Sequence, residues 1–279
     1  MTVRPRSREE ILEIDDVLRD WRQGDIALEA DLFVEMHAGT KPGSGPDVIT
    51  TDVRGIVVLT QTCDIVRTCV ERQWVEVAPL VAIPDAALMA SIERLARPNY
   101  ALVPTLRSDR LVADLDRSMT VEKALLASWR RTPGWHTDEE ERRFREALAR
   151  KRSRPAFDDD FIGAIRPLST RLKKSHGKDS PAGRATDTLS EIRVQPSPSW
   201  SNPDVEVFVW FIRDPSEDDS GIDWVAHVET WLGLIGRKGR FQHFEGVATT
   251  LEDMTARQYV DSDRLDLDQL SRSGEPEPG

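Results

Sequence analysis

The chain has 279 residues, with 38 Lys and Arg against 49 Asp and Glu, a formal net charge of -11 and 39% hydrophobic residues. That balance suits a globular protein with one large domain or two modest ones, and it excludes a disordered or collagen-like chain. No apolar run approaches the roughly 20 residues of a membrane span, so no membrane partner is expected.

The opening MTVRPRSREEILEIDD carries no apolar segment like a signal peptide's, so a cytoplasmic location is expected. Ser7 and Glu10 form a capping box ahead of Ile11, Ile14, Leu18 and Trp21 at helical spacing. Gln23-Gly24-Asp25 then opens a strand-like run, Ile26 to Met36, followed by the Gly/Pro-rich loop GTKPGSGPD. Arg54-Gly55 leads into Ile56 to Thr60, apolar and β-branched enough for a fully buried strand, and Trp74 to Ile83 reads as another. The middle reads as mainly helical. Helices are expected over Ala86 to Ala96, after Thr120, after the Thr137/Glu140 capping box, and through Phe161, Ile165, Leu168 and Leu172. Tyr100 to Val103 and Leu111 to Asp114 read as a short strand pair. Lys174 to Arg184 reads as a polar loop, and PSPSWSNPD (Pro196 to Asp204) as the best internal boundary. Beyond it, Val205 to Arg213, Ile222 to Ile235 and Phe244 to Thr250 form a β-α-β unit whose two strands could run either way, and the last residues read as a frayed tail. The expected domains are 1–118, 119–195 and 196–270, with a tail over 271–279.

Charge is unevenly placed. Residues 1–83 sum to -6, 84–141 to -2, 142–193 to +7 and 194–279 to -10. The basic block, with Arg150, Lys151, Arg152, Arg154, Arg171, Lys173 and Lys174, could grip an anionic partner such as single-stranded RNA, or pair with acidic segments of the same or a neighbouring chain.

The sequence contains no phosphate-binding glycine loop, no GxSxG and no HExxH, and its five histidines have no ligand spacing. The two cysteines, Cys63 and Cys69, are too few for a disulfide framework or a four-cysteine zinc site. No metal and no cofactor are expected. Thr60 to Asp64, TQTCD, follows the buried strand directly, where polar side chains emerge from a scaffold. Thr62, Cys63 and Asp64 are therefore candidate site residues, with Cys63 a candidate nucleophile. The competing reading has Thr62 or Asp64 capping a turn while Cys63 packs, and the Asp64 charge disfavours the thiolate.

Gly24-Asp25-Ile26, the Gly-rich loop, Arg54 to Thr60 and Val77-Ala78-Pro79-Leu80 together resemble the MazF/PemK-like toxins over about 65 residues. The resemblance implies an N-terminal SH3-like barrel; with the helical middle and the small C-terminal α/β unit read above, the expected fold class is α+β. It also implies metal-independent cleavage of single-stranded RNA, in which Arg54 would stabilise the pentacoordinate phosphate. Gly55 stands where the family has Pro, and Val81 where it offers a hydroxyl. The leading expectation is an interaction or regulatory subunit of a bacterial stress or phage-defence, toxin-antitoxin-like system, built on such a barrel without efficient catalysis and bound to a protein from its own operon. The alternatives are an endoribonuclease acting through Arg54 and a Cys63-dependent hydrolase.

Overall fold

A computed structural model describes residues 6–39, 45–95, 97–153, 155–214 and 221–265. The chain is of the α+β class and separates into two compact units, residues 1–153 and 154–279. The division falls neither near 118 nor near 195. Residues 119–122 pair with a strand of the first unit, and 189–197 pair with 205–213, so both expected boundaries lie beside sheet neighbours.

The N-terminal unit opens with α1 (Arg8–Leu18), started by the Ser7/Glu10 capping box. The run after Gly24 breaks into β1 (Ile26–Ala27) and β2 (Leu32–His37), and β2 pairs with β3 (Asp47–Asp52) as a two-stranded hairpin. β4 (Ile56–Val58), the four-residue α2 (Thr62–Ile65), β5 (Trp74–Ala82), α3 (Ala86–Glu93), β6 (Tyr100–Leu102), β7 (Leu111–Asp114) and β8 (Met119–Glu122) follow. α4 (Lys123–Ala127) and α5 (Asp138–Ser153) close the unit.

β5 organises the main sheet. It pairs with β4 through Val77–Pro79, with β8 through Trp74–Val77 and with β7 through Leu80–Ala82, giving the order β1-β4-β5-β7-β6 with β8 also on β5. All these pairings are antiparallel. Among the described residues the sheet is open: β1 and β6 end it without pairing to each other, and the β2–β3 hairpin stays separate, so no closed barrel forms. Both faces of the sheet are buried. Ile56, Val58, Val75 and Val77 pack with Leu18, Trp21 and Leu126, while Val57, Leu59, Ala78 and Leu80 pack with Phe144 and Ala147. Successive strand residues point to opposite faces, which explains why β4 is apolar at every position. Thr120 does not start a helix. Residues 119–122 are committed to β5, and the helix begins only at Lys123.

The C-terminal unit contains α6 (Asp159–Ser175), α7 (Pro181–Asp187), β9 (Leu189–Ser197), β10 (Val205–Arg213), α8 (Trp224–Leu234), β11 (Phe241–Thr249), α9 (Ala256–Val260) and β12 (Asp263–Arg264). Its sheet runs β11-β10-β9-β12, and β10 and β11 are adjacent and parallel, joined by α8. Gly246 leaves no room for a side chain beside β10: a Cβ there would lie 2.4 Å from the Val209 carbonyl oxygen. Phe161, Ile165, Leu168, Val228 and Trp231 from α6 and α8 pack against Val207, Val209 and Phe211 on one face of this sheet. Part of the expected polar loop 174–184 is instead the start of α7.

Candidate functional site

Arg54 and the Thr62–Asp64 group lie at opposite ends of β4, so the structure does not bring them together. Arg54 precedes the strand, its amide donating to the Leu80 carbonyl at 3.4 Å. Its guanidinium is exposed and has no hydrogen bond or ion pair among the described residues. Val81, the next residue along β5, pairs with Val112 and offers no hydroxyl to this end of the sheet. Gly55 has a φ of +127°, and a Cβ there would sit 2.8 Å from the Ala27 carbonyl oxygen. Proline is locked near -65°, so this backbone excludes the family's residue outright.

At the other end, Thr62 is structural. Its Oγ1 accepts the Gln23 amide at 3.1 Å, and the Gln23 side-chain amide donates to the Leu59 carbonyl at 2.6 Å. Gly24, at φ +91°, donates to the Val58 carbonyl at 2.8 Å. Asp25 is buried and accepts from the Arg22 amide and from Arg131 Nε, each at 2.6 Å. Burial pushes its carboxyl up, and the bonds to Arg131 pull the other way. The Gly-Asp-Ile segment thus latches the turn before β1 onto the end of β4 and the start of α2.

Cys63 is exposed, and its hydrogen-bond partner is Gln61 Oε1 at 3.7 Å, not a histidine. Among the described residues no base is hydrogen-bonded to this thiol, the contact that usually activates such a nucleophile. Asp64 lies 3.8 Å from both Arg67 and Arg72, too far for well-made ion pairs. The group that sequence reasoning missed is Lys123. It is 0% exposed, and its Nζ donates to the carbonyls of Asp64 at 2.8 Å and Arg67 at 2.6 Å, satisfying the orphan end of α2. Burial lowers its pKa, opposed by the nearby Asp15, Cys69 and Asp64. Cys69 is buried beside Asp15, whose carboxylate accepts the Cys69 amide at 2.7 Å, and both burial and that charge raise its thiol pKa. A lone lysine at the head of the apolar ALL run was the one available signal for this cluster.

The basic residues are divided between the two units. Arg150, Lys151 and Arg152 stand on α5 in the N-terminal unit, and Arg171, Lys173 and Lys174 on α6 in the C-terminal one. Lys151 pairs with Asp116 and Arg152 with Glu76, while Arg150 and Lys173 also have partners. Arg171 and Lys174 are exposed, and Arg154 lies outside the described residues. Among the described residues no group of three or more His, Cys, Asp or Glu is placed to hold a metal ion.

The most distinctive surface is the β2–β3 hairpin. Its register places Leu32, Val34 and Met36 on one face opposite Asp52, Thr50 and Val48. Leu32, Val34, Met36 and Val48 are 52%, 46%, 74% and 68% exposed. The opposite face is anchored: Phe33 is buried in the core, Arg117 lies over its ring, and Glu35 pairs with Arg117. The tryptophans, by contrast, are mostly not docking aromatics. Trp231 is core, Trp200 packs against Phe157 and Phe161, and Trp135 donates to the Gln23 carbonyl.

Compared with known proteins, no family model, no curated protein and no solved structure matches this chain.

Proposed function

We propose that this chain is an interaction subunit of a bacterial stress or phage-defence system, which works by docking a protein partner encoded beside it and not by catalysis. The carrying observation is the outward face of the β2–β3 hairpin, where four apolar side chains stand together on a chain that is 31% charged. Contiguous exposed apolar surface on a soluble protein marks a binding site. Among the described residues the face carries no lysine or arginine, so it suits a protein and not a phosphate backbone. Among the described residues β2 and β3 pair as strands only with each other, which leaves their outer edges open to an added strand. The missing base at Cys63, the isolation of Arg54 and the internal pairing of Lys151 and Arg152 support the non-catalytic part of the reading.

The N-terminal sheet is, on this reading, a diverged and opened relative of the SH3-like barrel of MazF/PemK-like toxins. Support comes from the arginine heading β4 and from the long β5 shared by three strand partners, with Pro79 inside it.

The test co-expresses the chain with the products of its neighbouring genes and compares wild type with a Val34→Asp/Met36→Asp variant. A complex that purifies with wild type and is lost from the folded variant is the expected result. Retention of the complex by the variant refutes the hairpin as the docking face. Defined cleavage of a long unstructured RNA in EDTA, abolished by Arg54→Ala, replaces the reading with the ribonuclease one.

A further inference from the structure

The face of the C-terminal sheet turned away from α6 and α8 holds a cavity of about 550 Å³. The strand register sets out its floor. Phe208 sits at the centre, with Gln195 opposite it on β9 and Glu245 opposite it on β11. Two residues back on β10 comes Glu206, facing His243, and two residues forward comes Trp210. The Phe208 and Trp210 rings lie 4.6 Å apart between centroids. Glu206, His243 and Glu245 are exposed, and together with that of Gln195 their side chains have no hydrogen bond or ion pair among the described residues. None of the residues lining the cavity is a lysine or an arginine.

Two unneutralised carboxylates standing over an aromatic floor attract cations and repel phosphates. An unpaired carboxylate accepts a guanidinium through two parallel hydrogen bonds, and the flat guanidinium stacks on a ring, which a compact ammonium cannot do. The same sheet face already holds one guanidinium against both a ring and a carboxylate. Arg193, opposite Trp210, lies 4.0 Å over the Tyr259 ring and donates to Glu191 at 2.5 Å. The volume is that of a small-ligand pocket, large enough for an arginine side chain with its flanking backbone.

We propose that this cavity binds a guanidinium group, stacked on Phe208 and held by Glu206 and Glu245. The group could belong to an arginine of a peptide or to a free small guanidine. The site is independent of the hairpin and of the docking role assigned to it.

Calorimetric titrations of the full chain with acetyl-Gly-Arg-Gly-amide, its lysine and citrulline counterparts, and agmatine test this. The expected result is saturable binding of a guanidinium probe, at least about tenfold tighter than the citrulline and lysine peptides, because loss of a hydrogen bond to a charged group costs that much or more. Binding of the peptide identifies a protein source, and binding of agmatine alone a free small molecule. Glu206→Gln/Glu245→Gln, at exposed positions and with an unchanged melting temperature, is expected to weaken binding by the same factor or more. Salt is expected to weaken it further. Equal affinity for the citrulline or lysine peptide, no saturation by about 10 mM of either guanidinium probe, or undiminished binding by the variant overturns the proposal.

Discussion

Glu122 is the carboxylate whose surroundings give the clearest prediction. At the end of β8, it accepts a two-pronged bond from Arg6, one arm at 2.7 Å, and a further bond from the Gln73 side chain at 3.0 Å. The bond from Arg6, then that from Gln73, hold its carboxyl at about 2 instead of 4.5, against a smaller opposing effect of burial. At 1.36 kcal/mol per pH unit that difference sets a ceiling of about 3 kcal/mol. Both side chains remain about a quarter exposed (26% and 22%), so screening by water brings the expected contribution to about 1–2 kcal/mol. The pKa is lowered in the folded state, so the stabilisation is fully present above the unfolded value and is lost as pH falls toward the folded one. From the two pKa values, about a quarter of it disappears by pH 4 and over half by pH 3. Urea unfolding of wild type and Glu122→Gln at pH 7, 5 and 4 measures this. The variant is expected to be less stable by about 1–2 kcal/mol at pH 7, with the gap narrowing on acidification. Arg6→Ala is expected to reproduce the effect. A gap that stays constant from pH 7 to pH 4 refutes the assignment of the stabilisation to this charge pair.

Two further outcomes follow from the backbone and the thiols. Gly55→Pro is expected to lower stability by about 3 kcal/mol or more, and Gly55→Ala by about 1–3, because φ +127° and the nearby Ala27 carbonyl exclude both side chains; thermal melting measures either. In native protein, iodoacetamide is expected to label Cys63 and to spare Cys69 until the chain is unfolded, and mass mapping that finds Cys69 labelled first contradicts its burial beside Asp15.

Local signals in the sequence were legible, and long-range ones were not. The Ser7/Glu10 and Thr137/Glu140 boxes are written in four residues each, and both cap helices as read. The apolar run after Gly55 announced a strand buried on both faces. What covers those faces, α1 and α4 on one side and α5 on the other, lies as far as 90 residues away. β9 went unread because Glu191, Arg193 and Gln195 mask the alternation of Ile192 and Val194, and because Pro196 and Pro198 look like a break. Pro196 pairs with Val207 even so, and β12 reaches only Arg193 and Val194, leaving the proline end of β9 with a neighbour on one side. Gly24-Asp25 was legible as a motif, but its role depends on Thr62, Arg131 and Trp135, whose proximity no local pattern encodes. Closure of a barrel is a property of strand ends meeting, and composition carries no trace of it.

The +7 of residues 142–193 bears differently on function once its members are placed. Pairing with Asp116 and Glu76 uses up Lys151 and Arg152 within their own unit, and Arg171 and Lys174 belong to the other unit. A stretch of sequence with a strong net charge is not a surface with one, since neutralisation occurs across strands that sequence order keeps apart. The surfaces left open have other characters: an apolar hairpin face without cations, and an acidic cavity with an aromatic floor. Neither suits a polyphosphate, and each suits a different part of a protein, an apolar strand or side-chain cluster in the first case and an arginine in the second.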